Sequence, residues 1–146
     1  MTYERDPMKI LRNVAVVAAM GLATSITAAP AMASADQYLI ARCAKGNFGI
    51  EIKARYRTTG TTHLFNQLSW RIAGNVGSKN TVRFSFMQDA QPDFVFKAFG
   101  YEGGRTGARN IWVTRPKAHK VFVRFGVRFD TRASSDPGCT YQTRGI

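Results

Sequence analysis

The chain has 146 residues, with 21 Lys plus Arg against 9 Asp plus Glu and a net charge of +12. That length holds one domain with a modest core. Two cysteines without paired histidines cannot supply the four ligands of a structural zinc, so no metal site and no cofactor is expected. The basic excess favours polyanionic neighbours, although a charge away from zero also serves solubility alone.

The first segment carries Arg5, Lys9 and Arg12, then the apolar run Val14–Ala23, then small residues from Ala31 to Ala35. This order predicts a secretory signal peptide over 1–35, with cleavage after Ala35 or after Ala33. The apolar run is interrupted by Thr24, Ser25 and Thr27 and followed by Pro30, which makes a poor membrane span and leaves none after processing. No cysteine follows the run to take a lipid. A single domain over 36–146 is then exported, and losing the leader removes three basic and two acidic residues, so nearly all of the +12 stays with it. Secreted or extracellular location, at a bacterial surface or in the medium, is the expectation. In that oxidising setting Cys43 and Cys139 are expected to form a disulfide near the two ends of the domain. The loop of about 95 residues that it closes corresponds to roughly 4–5 kcal/mol on the chain-entropy account.

The domain reads as a series of strands. Tyr38–Ala44 is a first strand, ended by the turn residues Lys45–Gly49. Ile50, Ile52, Ala54 and Tyr56 alternate with Glu51, Lys53, Arg55 and Arg57, which predicts a strand with one buried and one basic face. After the polar loop 58–62, Leu68, Trp70 and Ile72 keep period two against Gln67, Ser69 and Arg71. Val82, Phe84 and Phe86 point inward on the next strand, which stops before Pro92. Phe94–Tyr101 is aromatic on both sides. With the glycine-rich 102–109 and the strand Asn110–Thr114 it predicts a hairpin with a mobile tip.

The longest alternation is Lys120–Asp130. Val121, Val123, Phe125, Val127 and Phe129 take one side, and Lys120, Phe122, Arg124 and Arg128 the other. β-branched and aromatic residues dominate, and a helix would scatter those five apolar side chains around its axis. Ser134–Gly138 then turns the chain so that Cys139 can meet the first strand. About seven strands without a helix predict an antiparallel β-sandwich, with a small closed barrel as the alternative. The terminal disulfide and Trp70 resemble the immunoglobulin-like architecture, but the spacing of two mid-strand cysteines around a tryptophan is absent. The resemblance therefore implies architecture and not membership.

No residue set names a reaction. His63 and His119 stand at strand beginnings, where exposed loop histidines are ordinary, and neither has a local partner to orient it as a base. The carboxylates form no pair in sequence, so acid–base work of the glycosidase kind would need folding to unite Glu51 with Glu102. Gly-Arg-Thr-Gly-Ala-Arg at 104–109 has a local likeness to microbial ribonucleases, whose glutamate-bearing strand and amino-terminal helix have no counterpart. Gly100, Gly103, Gly104 and Gly107 lack the Gly-Lys-Ser/Thr ending of a phosphate loop.

What remains is basic strand faces with interleaved aromatics: Lys53, Arg55 and Arg57, and Lys120, Phe122, Arg124 and Arg128. A further basic group, Arg105, Arg109, Arg115 and Lys117, surrounds the expected hairpin. Arginine forks grip phosphate or carboxylate at two points. The expected function is non-enzymatic binding of an anionic polymer (a cell-wall polymer, polysaccharide or nucleic acid) or of a secreted protein. A small hydrolase such as a ribonuclease, and an inhibitor or toxin-like effector, are the alternatives.

Overall fold

The computed structural model describes residues 34–146, and the leader predicted over 1–35 lies, but for its last two residues, outside them. Eight strands follow one another: β1 (Gln37–Lys45), β2 (Phe48–Thr59), β3 (Thr62–Ala73), β4 (Asn80–Gln88), β5 (Phe94–Gly103), β6 (Thr106–Pro116), β7 (Val121–Arg128) and β8 (Gly138–Gln142). They make two antiparallel sheets, ordered β1-β2-β3-β6 and β5-β4-β7-β8. Neither sheet returns to its first strand, so the fold is the expected sandwich and not the barrel. The count exceeds the expected seven because Gly138–Gln142, read from sequence as turn and tail, pairs with β7.

Period two makes the core. Ile50, Ile52, Ala54 and Tyr56 of β2, Val82, Phe84 and Phe86 of β4, and Val121, Val123, Phe125 and Val127 of β7 are all buried, as the alternation requires. Phenylalanines bridge the two sheets: Phe65 and Phe86 meet edge to face with ring centres 4.8 Å apart, and Phe48 stacks on Phe129 at 5.6 Å. Each such ring withdrawn from water stabilises by about 1.5–3 kcal/mol. In β3 the alternation breaks once, where Asn66 inserts and shifts the register against β2 between Arg55 and Tyr56. Phe65 and Leu68 thereby both reach the core, as a bulge of one extra residue allows.

β5 and β6 are not a hairpin. β5 pairs with β4 and β6 with β3, so the glycine-rich link between them crosses from one sheet to the other. Gly107 answers to Trp70 instead of to a flexible tip. A Cβ on Gly107 would lie 2.1 Å from the Trp70 ring, and one on Gly103 3.6 Å from it. At Gly107 the indole needs the space that a side chain would fill, whereas at Gly103 a Cβ would make only ordinary contact.

The sandwich is held at its two open sides by different means. At one, the disulfide Cys43–Cys139 joins the edge strands β1 and β8 across 96 positions of sequence, with Cα atoms 6.3 Å apart. At the other, Arg115 of β6 donates from Nε and Nη2 to Gln88 of β4 and lies 4.5 Å from the Phe96 ring centre. Arg109 sits over Trp70 and Tyr101 at 5.8 and 5.7 Å. One end of the sandwich is closed by the fully buried Asn80. Its amide donates to the carbonyls of Gly77 and Gly103 and accepts from the Asp130 N–H, so its polar atoms stay satisfied without water.

Candidate polyanion-binding face

The basic residues predicted on β2 do point outward, but each is tied to an acid. Glu51, on the same face, accepts from Arg42 and lies 3.2 Å from Lys53. Asp36, just before β1, takes Arg57 in a hydrogen bond and lies 3.7 Å from Arg55, while Arg55 Nε also donates to Asn66 at 2.8 Å. The hydrogen bond from Arg57 holds the Asp36 carboxyl below its ordinary pKa, and those from Arg42 and Lys53 do the same for Glu51. Pairing across β1 and β2 causes this: Arg42 faces Glu51 and Ile40 faces Lys53. On the same side, where Ile111 and Trp112 together oppose Asn66 in the β3–β6 pairing, Ile111 packs on the core and Trp112 is turned out, 74% exposed.

β7 lies in the other sheet, so the two predicted basic sets look away from each other and form no single surface. Two of the four β7 residues are also not where the alternation put them to use. Phe122 does turn away from the core, yet it is only 6% exposed. It lies between its cross-strand partner Met87, itself buried, and the C-terminal segment, whose Thr143 and Ile146 bond the backbone of Val123 and Val121. It therefore offers no ring for stacking. Lys120 precedes β7 and pairs with Asp89 at 2.9 Å, which raises its pKa through the hydrogen bond.

Arg124 and Arg128 remain, exposed on the outer face of β7. Arg83 of β4 joins them, since Arg83 faces Gly126 and Ser85 faces Arg124 across the β4–β7 pair. Arg128 lies 3.6 Å from Asp136 with its side chain 70% exposed. Arg83 and Arg124 have no carboxylate in ion-pair distance among the described residues. Glu102 is the other acid of this face, opposite Thr81 one row away from Arg83. The alternation Val82-Arg83-Phe84 already turns Arg83 outward. Only strand order shows that it neighbours Arg124 and Arg128.

The histidines do not assemble a catalytic group. His63 is buried and not in an exposed loop, because it falls on the inward side of β3 next to Phe65. Its Nδ1 lies 2.9 Å from the Thr58 hydroxyl, its ring stands edge-on to Tyr56 at 5.8 Å, and burial, then the charge of Lys117, lowers its pKa. Glu51 and Glu102 sit on the outer faces of opposite sheets. Three members of the third basic group are spent on the fold: Arg105 donates to the Gly74 carbonyl, and Arg109 and Arg115 cover aromatic rings. Among the described residues no group of three or more metal-ligating side chains occurs, and no helix is long and apolar enough to cross a membrane.

The chain matches no family model, and neither the curated proteins nor the solved structures include a match to it.

Proposed function

We propose that the protein is an exported, non-enzymatic binding module that takes an anionic polymer on the outer face of the β5-β4-β7-β8 sheet. The observation that carries this is the group Arg83, Arg124 and Arg128, three exposed guanidinium groups on adjoining central strands, of which only Arg128 has a carboxylate close by. Guanidinium groups without internal partners are free to form paired hydrogen bonds with phosphate, sulfate or carboxylate groups. Export is supported by the basic, apolar and small-residue order of 1–35, and a disulfide suits an oxidising compartment. For the hydrolase reading, His63 is buried against a threonine hydroxyl with the charge of Lys117 nearby, and among the described residues no acceptor such as a carboxylate or carbonyl orients it as a general base.

Titration of the purified protein with teichoic acid, heparin and single-stranded DNA at two salt concentrations tests the reading. Binding should weaken linearly in log–log form as salt rises, because each contacted anionic group releases counterions. Failure to bind all three at low salt removes it.

A further inference from the structure

The centre of the arginine group is a glycine, and the fold does not call for one. Gly126 lies in the middle of β7, a central strand between β4 and β8, where β-branched residues are the ordinary choice and glycine weakens the strand. Its backbone is not among the left-handed glycines, which are Gly46, Gly60 and Gly74. No packing excludes a side chain either: a Cβ there would meet only the Thr140 hydroxyl, at 3.4 Å. This contrasts with Gly107, where the Trp70 ring occupies the space.

Where a side chain would stand lies part of an open hollow of about 380 Å³ lined by Thr81, Arg83, Gly126, Val127, Arg128 and Thr140. The pairings define its walls. Along β7, Arg128 stands two residues away on one side, about 7 Å off at strand spacing, and Arg124, at the same spacing on the other side, lies outside the lining. Across the sheet, Arg83 of β4 and Thr140 of β8 are the direct neighbours of Gly126, about 5 Å off. Thr81 faces Arg128 in the next row. Two guanidinium groups and two hydroxyls thus line one open position, and Arg124 stands just outside it. On the far side of Arg83 stands a second glycine, Gly100, whose Cβ position would be 4.0 Å from the arginine's Cγ, so the long side chain has a glycine on each flank and no neighbouring side chain fixes it on either.

We infer that this hollow is a subsite for one tetrahedral oxyanion ester, a phosphate or sulfate group projecting from the bound polymer, seated over Gly126 and held by Arg83, by Arg128 once it turns from Asp136, and by the Thr81 and Thr140 hydroxyls, with Arg124 adding its charge from just outside. The inference rests on the polyanion reading of the same face but asks more of it. A diffuse basic surface responds to total charge, whereas this subsite responds to the space over Gly126. Four donor groups around a backbone floor suit a projecting group that enters end-on.

The test uses the purified full chain, with inorganic phosphate and inorganic sulfate as separate probes and backbone amide chemical shifts as the readout. Saturable shifts confined to Thr81, Gly126, Thr140 and their neighbours are expected. Gly126→Val, which removes space but no charge, should weaken them at least tenfold while the melting temperature holds or rises. Arg83→Gln should weaken them similarly and serves as the second variant should Gly126→Val fold poorly. A response to phosphate alone assigns a phosphate ester, to sulfate alone a sulfate ester, and to both equally a site that reads tetrahedral charge. Shifts spread over both outer faces, or unchanged by Gly126→Val, overturn the subsite even if polymer binding and its salt dependence persist. Local, Gly126→Val-sensitive shifts without any polymer binding would keep the subsite and overturn the polymer reading. No shift with either ion overturns the subsite outright.

Discussion

The two outer faces of the sandwich are built from the same kinds of strand and end in different chemistry. On the β1-β2-β3-β6 sheet, Glu51 and Asp36 each serve two cations, and Arg42, Lys53, Arg55 and Arg57 are drawn into a network of ion pairs. On the β5-β4-β7-β8 sheet, Arg83 and Arg124 stand beside glycine and serine and keep their hydrogen-bonding capacity. Alternation of apolar and basic residues is therefore not by itself a binding surface. What matters is whether the neighbouring strand supplies an acid, since a guanidinium already holding a carboxylate must give it up before it can take a ligand.

The comparison presupposes that the sheets are clamped back to back, and removing the clamp should have the largest effect. Cys43→Ser should lower stability by roughly 4–5 kcal/mol on the chain-entropy account, read as a drop in the denaturation midpoint with β-rich circular dichroism retained in the cold. An unaltered midpoint would mean that the two edges are held without the disulfide.

Next come the two sides of β7. Phe125→Ala, in the core and 1% exposed, should cost about 3–5 kcal/mol. Arg124→Ala, one residue away on the open face, should stay within about 0.5 kcal/mol. Equal losses in chemical denaturation would put the register off by one residue.

Exchanging the faces sharpens the functional contrast. Arg83→Gln with Arg124→Gln should flatten the salt dependence of polymer binding, by a slope near 0.9 for each phosphate released if the ligand were duplex DNA. Arg55→Gln with Arg57→Gln should leave that slope nearly intact and instead lower the melting temperature slightly. The reverse pattern would move the site to the other sheet.

The smallest effects are in pH. His63 has its pKa lowered by burial and by Lys117, so the unfolded chain takes up a proton before the folded one does. Its contribution to stability is present above the unfolded value of about 6.5 and is lost as pH falls through the folded one. Denaturation midpoints of the wild type should therefore decline over this acid window, and His63→Gln should lack that decline. Asp36 and Glu51, with folded pKa values held down by their arginine and lysine partners, act in a lower window: what they add is present above the ordinary carboxylate range and fades as pH falls through the depressed values. Asp36→Asn should give only a slight drop in melting temperature, and that drop should vanish at about 1 M salt, where screening is nearly complete.

Local chemistry determined much of this molecule. A strand's two faces follow from its own residues, so Ile50 to Arg57 and Val121 to Arg128 show in sequence which side chains go in and, for the arginines, which go out. The two cysteines near the ends of the domain likewise announce their pairing, because only two are present. What the sequence left open concerns which strands lie side by side, a property of contacts far apart along the chain. Phe122 reads as an outward residue and is one, yet Met87 and the C-terminal segment bury it. Gly107 reads as part of a flexible tip until Trp70, more than thirty residues earlier, takes the space beside it. Arg55 reads as free until Asp36 arrives from ahead of the preceding strand. Gly126 looks like one weak position in a strong strand, flanked by Arg124 and Arg128 of its own strand, and acquires Arg83 as a third arginine neighbour only when β4 pairs with β7. Side-chain alternation is a property of one strand, but ion pairing, burial of an outer face and the walls of a hollow belong to pairs of strands, and those are decided only in the folded sheet.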